Sequence, residues 1–301
     1  YILIVTHVNP DPDSIGSALA LSNLFHENKI KHKVFNVSSD LPQNLDFIPR
    51  FEKISDQLPA FFDLAISVDC GTYKRLGFEL DPSIPLINFD HHKSNNSFGT
   101  VNIVDPMISS TAELVYEFFK HNGLYITKNS ATALYVGIYD DTLAFSLSRC
   151  DEVTFEKINF LVECGASPSD IANKLLRRDS LAKYRIIPKV LDSLELYKEG
   201  EVASILAKEE WFKQTGAHNR DCEDALDMIM SIAVVRIAFF VRVVNGVSRV
   251  SIRSKGKIDV SVIAGHFGGG GHFNAAGCSL DMTDVVKAKD IVLKEILEVY
   301  K

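Results

Sequence analysis

Histidine and aspartate recur in this chain in short clusters that suit a hard divalent cation. The first is His7-x3-Asp11-x-Asp13, within HVNPDPDSIGS. Asp69 follows in SVDCG, Asp90-His91-His92 in NFDHH and Asp140-Asp141 in GIYDDT. Imidazoles mixed with carboxylates form a nitrogen and oxygen donor set that fits manganese, and to a lesser degree magnesium, iron or cobalt. No thiolate belongs to it, which disfavours structural zinc. A carboxylate shared by two ions about 3.5–4 Å apart lets water act as a nucleophile and stabilises an in-line displacement at phosphorus. The chemistry indicated is that of a metal-dependent hydrolase.

Each cluster also has a plainer explanation. Asn-Pro and Asp-Pro are ordinary turn steps, Asp13 or Ser14 can cap a helix, and Asp69 can cap a strand end. Asp90-His91-His92 is sharper, because an apolar run stops abruptly in three donors. Asp140-Asp141 ends a helix-like run, where acidic groups oppose the dipole and bound cations relieve the cost. The four clusters together favour the metal site over four unrelated caps.

The elements around these residues give them a common location. YILIVT (1–6), HKVFNV (32–37), FDLAISVD (62–69) and PLINFD (85–90) read as buried strands. A helix fits 14–29, with Asp13 or Ser14 as its cap. Pro10 and Pro12 place His7, Asp11 and Asp13 mainly on the loop before it. Helices also fit 110–122, 129–139, 152–164 and 168–177. This alternation predicts an α/β unit around a parallel sheet, whose ligands gather beyond the carboxyl ends of the strands. His7, Asp69 and Asp90-His91-His92 all fall there.

A connector is expected near 180–200, around Pro188 and KEGE. Beyond it come a strand EVASILA, a helix EDALDMIMSI and a hairpin turning at Asn245-Gly246. A helix IDVSVIAGHF, the stretch GGGGH, a strand AAGCSL and a final helix (283–300) complete the chain. Gly268–Gly271 followed by His272 suits close approach of backbone amides to an anion, or else a turn between helix and strand. Arg253 in VSIRSK suits bidentate contact with a phosphate, or else lies on a solvent-facing strand. Arg249 is a weaker candidate, and Ser251 and Ser254 can assist. Phe98 and Phe273 are candidates to stack on a base, or to pack in a core.

Composition sets limits. The chain has 301 residues, 46% hydrophobic and 24% charged, which fits a folded protein of two domains rather than a disordered one. Its net charge of −7 gives no support for binding long duplex DNA. No apolar run reaches the length of a membrane span, since Arg236 and Arg242 interrupt AVVRIAFFVRVV. Five scattered cysteines, with no C-x-x-C pair, fit a reducing compartment; with no secretory pattern, a cytoplasmic location is expected.

These motifs resemble those of the DHH phosphoesterase superfamily, and within it the DHH–DHHA1 subfamily of NrnA-like nano-RNases (oligoribonuclease and pAp phosphatase), across essentially the whole chain. His7, Asp11, Asp13, Gly16 and Ser17 match H-x3-D-x-D-x2-G-S, Asp69 is the strand-end aspartate, and Asp90-His91-His92 is the DHH itself. Gly137–Thr142 matches G-I-x-T-D-T except at Asp140, where the family has threonine. GGGGH resembles the GGGH signature of the DHHA1 domain. The resemblance implies two divalent ions, manganese above all, with Mg2+ or Co2+ as substitutes. His7 and Asp11 would hold one ion, and Asp13, His91 and Asp141 the other, with Asp69 bridging. His92 would face the scissile phosphate and Asp90 would orient a histidine. Arg253, Ser251, Gly269, Gly270, Gly271 and His272 would grip the substrate. An additional carboxylate at Asp140 would shift metal preference or face away.

The expected architecture is a parallel-sheet DHH catalytic domain (1–185), a linker (186–200) and a smaller α/β DHHA1 domain (201–301), with the active site in a cleft between domains. The expected reaction is hydrolysis of short RNA, especially dinucleotides, to mononucleotides, and of 3'-phosphoadenosine 5'-phosphate to AMP. The expected partners are such oligonucleotides or nucleotides, with no membrane, and a homodimer is compatible. A cyclic- or linear-dinucleotide phosphodiesterase is the nearest alternative. A pyrophosphatase fits the GGGGH stretch poorly, and a RecJ-like exonuclease fits the acidic balance poorly. A nucleotide-sensing or RNA-binding protein without catalysis is the alternative of another class.

Overall fold

A computed structural model describes residues 1–38, 41–147 and 150–300, the side chain of His272 excepted. Two compact units divide the chain, Tyr1–Arg178 and Asp179–Lys301.

The first unit runs β1 (Ile2–Thr6), α1 (Pro12–Glu27), β2 (His32–Phe35), β3 (Ile54–Ser55), β4 (Leu64–Val68), β5 (Leu86–Asp90) and β6 (Val101–Val104). Four helices follow: α2 (Thr111–His121), α3 (Lys128–Asp141), α4 (Glu152–Glu163) and α5 (Pro168–Leu176). The six strands form one parallel sheet in the order β3-β2-β1-β4-β5-β6. Alternate strand residues enter cores on opposite faces: Ile4, Ile66 and Val68 pack with α1–α4, whereas Leu3, Val5 and Ala65 pack with Phe35, Phe62 and Leu76. Burial on both faces explains why these strands are nearly continuous apolar runs. The order reverses between β1 and β4, which is where open α/β sheets leave a crevice for ligands.

Pro10, His7 and Asp11 precede the helix as expected, but Pro12 acts differently. Helix α1 begins at Pro12, so Asp13 lies in its first turn and not on the loop. Pro12 is tolerated because an N–H at this position would have no helical acceptor. The cap is Asp11, neither Asp13 nor Ser14: its side chain accepts from Ser14 N at 2.9 Å.

The second unit opens with α6 (Leu181–Asp192) and β7 (Glu195–Tyr197), so the stretch read as a connector is structured. Pro188 sits inside α6, where burial of Ile186, Ile187 and Val190 holds the helix despite the lost hydrogen bond. Then come β8 (Val202–Ala207), α7 (Glu209–Thr215), α8 (Asp224–Met230), β9 (Ile237–Val244), β10 (Val247–Ser254), α9 (Val260–His266), β11 (Gly270–His272), β12 (Ala275–Leu280) and α10 (Val285–Val299). They build a mixed sheet in the order β11-β12-β10-β9-β8-β7. One face packs against α9 and α10 through Ile263, Val292 and Ile296, the other against α6 and α8 through Val190, Ala225 and Leu226. The β9–β10 hairpin turns at Asn245-Gly246, both with positive φ (51° and 80°), the geometry of a two-residue primed turn.

Candidate metal centre

The strand ends deliver the predicted donors to one place. His7 follows β1, Asp69 follows β4, Asp90 ends β5, and His91 and His92 follow it. Asp13 comes from the first turn of α1 and Asp141 from the last residue of α3. Among the described residues, their donor atoms form three overlapping groups: His7–Asp11–Asp69, Asp13–His91–Asp141 and Asp69–His91–His92. Asp69 belongs to two groups, as does His91.

The distances show how each donor is aimed. His7 Nδ1 lies 2.9 Å from the Val8 carbonyl, which can only accept, so Nε2 turns to Asp11 Oδ2 and Asp69 Oδ2, each at 3.3 Å. His91 Nε2 lies 3.3 Å from Asp141 Oδ2 and 3.7 Å from Asp69 Oδ1. Asp69 has a left-handed backbone (φ 57°), a conformation that aspartate tolerates better than most side chains. Its Oδ1 accepts from Thr111 Oγ1 at 3.1 Å. The next residue, Cys70, is buried, and burial above all pushes its thiol up to about 12, so it offers no thiolate.

Asp13 is fixed by α2. Its two carboxylate oxygens accept from Thr111 N and Ala112 N, each at 2.8 Å, at the positive end of that helix. Sequence reasoning missed Thr111. The signal was present in SSTAE, whose Ser110 and Glu113 mark a helix start, but nothing local says that this start meets Asp13 ninety-eight positions earlier.

His92 is oriented by Asp90, and its Nδ1 also lies 3.5 Å from Asp69 Oδ1. Asp90 is fully buried, and its Oδ1 accepts from His92 Nδ1 at 2.7 Å. Its Oδ2 accepts from Asn95 Nδ2 at 2.5 Å. Burial opposes a charge on His92, but the bond to Asp90 and the charge of Asp69 outweigh it and raise its pKa. The ring is thus held with Nε2 opposite the anchored nitrogen.

The electrostatics fit a cation. Burial, and then the carboxylates of Asp69, Asp141 and Asp11, push the Asp13 carboxyl well above its usual range. Burial works against a proton on His7, yet Asp11 and Asp69 outweigh it and raise its pKa to about 9. Divalent cations would reverse both effects, letting the carboxylates ionise together and displacing the imidazole proton. The donor set, oxygen-rich with imidazole and without sulfur, fits the metals expected from the sequence. Asp140 belongs to none of the three groups; burial first, then Asp11 and Asp141, push its carboxyl up to about 7.

In the second unit, Arg253 and Ser251 sit on β10 and line a cavity of about 400 Å³ together with Arg249 and Arg242. The glycines have backbone reasons to be there. A Cβ on Gly269 would come within 2.2 Å of the Gly277 carbonyl, and one on Gly271 within 2.5 Å of the Ala275 carbonyl, whereas Gly270 faces open space. His272 pairs with Ala275, which pairs with Arg253, so β11 and β10 share this register row; the His272 side chain lies outside the described residues. Phe98 packs edge-on to Tyr73 beside the core, and Phe273 is exposed.

Residues 1–138 match the DHH family, N-terminal domain, and residues 201–300 match the DHHA1 domain. A Thermus thermophilus protein described as a bifunctional oligoribonuclease and PAP phosphatase, NrnA, is 29% identical over 300 residues, covering 99% of this chain and 89% of the relative. The cyclic-di-AMP phosphodiesterase PdeA of Listeria monocytogenes is 26% identical over 98% of this chain but only 47% of its own length. A crystal structure of an exopolyphosphatase-related protein from Bacteroides fragilis superposes with a TM-score of 0.88 at 28% identity, covering 98% of this chain and 92% of that one.

Proposed function

This chain belongs to the DHH–DHHA1 superfamily, and from that premise we propose that it is a manganese-dependent phosphoesterase. Its substrates are short RNA oligonucleotides, dinucleotides above all, cleaved to mononucleotides, and 3'-phosphoadenosine 5'-phosphate, cleaved to AMP. The observation that supports this most is the shared position of Asp69, between the His7–Asp11 group and the His91 groups. One carboxylate common to two donor sets is what a two-metal phosphoryl site requires.

His7 and Asp11 would hold one ion and Asp13, His91 and Asp141 the other, with Asp69 between them. The pair of ions, when bound, activates water at neutral pH and offsets charge on the phosphoryl oxygens. The protein supplies the orientation. Thr111 fixes Asp69, the start of α2 fixes Asp13, and the Val8 carbonyl fixes His7. Asp90 holds the His92 ring and favours its charged form, so His92 can face the scissile phosphate as a donor and pass a proton to the leaving oxygen. Arg253, with Ser251, Gly269, Gly270, Gly271 and His272, grips the part of the substrate that does not react.

The testing experiment uses purified protein with Mn2+ and a length series of 5'- and 3'-labelled RNAs, with 3'-phosphoadenosine 5'-phosphate and linear and cyclic dinucleotides alongside. Mononucleotides from the shortest RNAs, lost on chelation, are the expected result. No hydrolysis of any of these with Mn2+, Mg2+ or Co2+ overturns the reading. Preference for cyclic dinucleotides would favour the alternative raised by the PdeA match.

A further inference from the structure

The second unit holds two arginines face to face across a pair of strands. Arg242, on β9, is directly opposite Arg249 on β10, and like charges at opposed positions repel. Arg242 is 8% exposed and its Nε has no hydrogen-bond partner. A buried guanidinium nitrogen left unbonded is costly, because it has given up water without replacement. Arg242, Arg249, Ser251 and Arg253 nevertheless all line one cavity. Strand alternation accounts for this: 249, 251 and 253 share one face of β10, and their partners on β9 lie on the same face.

Two groups compensate Arg242: its guanidinium lies 5.0 Å from the centre of the Phe240 ring, and one solvated carboxylate pairs with it. Glu223 Oε1 accepts from its Nη2 at 2.8 Å, but the Glu223 side chain is 58% exposed. An ion pair with one partner so solvated is easily exchanged for another anion. Among the other acids lining the cavity, Asp224 is held by Lys183, and Asp227 faces Arg253 electrostatically. Glu223 is therefore the carboxylate that stands where an anion would bind to Arg242.

We propose that Arg242 is a further substrate-gripping residue, held in waiting by Glu223, and that a nucleotide phosphate displaces Glu223 and takes up the unbonded Nε. The inference rests on the reading of this unit as the part that grips the substrate. It assigns Glu223 a competing role, so removing its charge should tighten binding, which a purely structural ion pair would not do.

The test is calorimetric titration of the manganese-loaded 301-residue chain with AMP, inorganic phosphate and adenosine. Glu223→Gln, a surface change, is expected to tighten AMP several-fold. Arg242→Gln is expected to weaken AMP roughly tenfold or more, the loss of hydrogen bonds to a charged group, and Arg242→Lys to do so partially. Adenosine should respond to none of them. Unchanged or weaker AMP binding by Glu223→Gln overturns the proposal, even where Arg242→Gln fails to fold. Tightening of inorganic phosphate with no tightening of AMP would overturn the nucleotide as the occupant. Failure of the catalytic reading is separable, since it appears as wild-type protein that hydrolyses no oligonucleotide at all.

Discussion

Asp69 carries two separable properties, a carboxylate and a left-handed backbone. Asp69→Ala would remove the first and strain the second, because alanine gains nothing from that conformation. Asp69→Asn keeps the backbone and is the cleaner test: Mn2+ binding at both centres is expected to fall, read by titration calorimetry, with the melting temperature of the apo protein little changed. Asp140 and Asp141 are distinguished in the same way. Asp141→Asn is expected to cost one bound ion and Asp140→Asn none, since only Asp141 reaches His91. His92→Ala should leave the metal content intact while lowering kcat about 10²–10⁴-fold, the range for a lost proton donor. Asp90→Asn should lower it by about 10–100-fold through misorientation of the ring.

Elements hold these residues by close approach. Helix α3 passes so near α1 and α2 that a Cβ on Gly137 would lie 2.5 Å from Ala112 Cβ and 2.8 Å from Asp13 Oδ1. Gly137→Ala is expected to destabilise the protein by about 1–3 kcal/mol, as overpacking does, and to weaken metal binding by moving Asp13. Denaturant unfolding of the apo protein and Mn2+ titration read the two effects separately. The glycine run offers a contrast of the opposite kind. Gly269→Ala should destabilise, whereas Gly270→Ala should fold normally because its Cβ meets nothing within 4 Å. A loss of nucleotide affinity in Gly270→Ala alone would then report on the ligand rather than the fold. The end of α3 was partly legible: two acids in the last helical turn read as a charge problem needing a cation. The left-handed backbone at Leu143, Ala144 and Phe145 that follows was not, since no glycine or asparagine marks it.

At the scale of the molecule, the proposed function puts metal binding in the first unit and the grip on the nucleotide in the second. Hydrogen exchange should show Mn2+ protecting β1, β4, β5 and the starts of α1 and α2, and AMP protecting β9 and β10 in addition. Protection by Mn2+ confined to Asp179–Lys301 would contradict this assignment. A buried pair links α2 to α4 within the first unit: Lys157 Nζ donates to Glu113 Oε1 at 2.7 Å and also pairs with Glu117. Burial lowers the lysine pKa, but these two glutamates more than reverse it, so the folded value lies above the unfolded one. The stability this contributes is complete below the unfolded lysine pKa and is lost as pH rises through the folded value; thermal melts should fall in the strongly alkaline range, and less so in Lys157→Met. That variant also strands a buried carboxylate, at a cost of about 3–5 kcal/mol at neutral pH.

No helix among the described residues is long and apolar enough to cross a membrane. The amino-acid pattern contained the donor residues, the strands that carry most of them and the alternation that makes a parallel sheet, because these depend on local spacing and on periodic burial. It misplaced Asp13 and the cap of α1, since a proline reads as a helix breaker until its position in the first turn is known. It passed over α6, whose buried face outweighs Pro188. Partners were beyond its reach: Thr111 on Asp69, the start of α2 on Asp13, Glu223 on Arg242. Each joins residues from separate elements, and such pairings are set by how sheets and helices pack. Burial then decides their chemistry, because charges that water would screen at the surface must find partners, protons or metal ions inside.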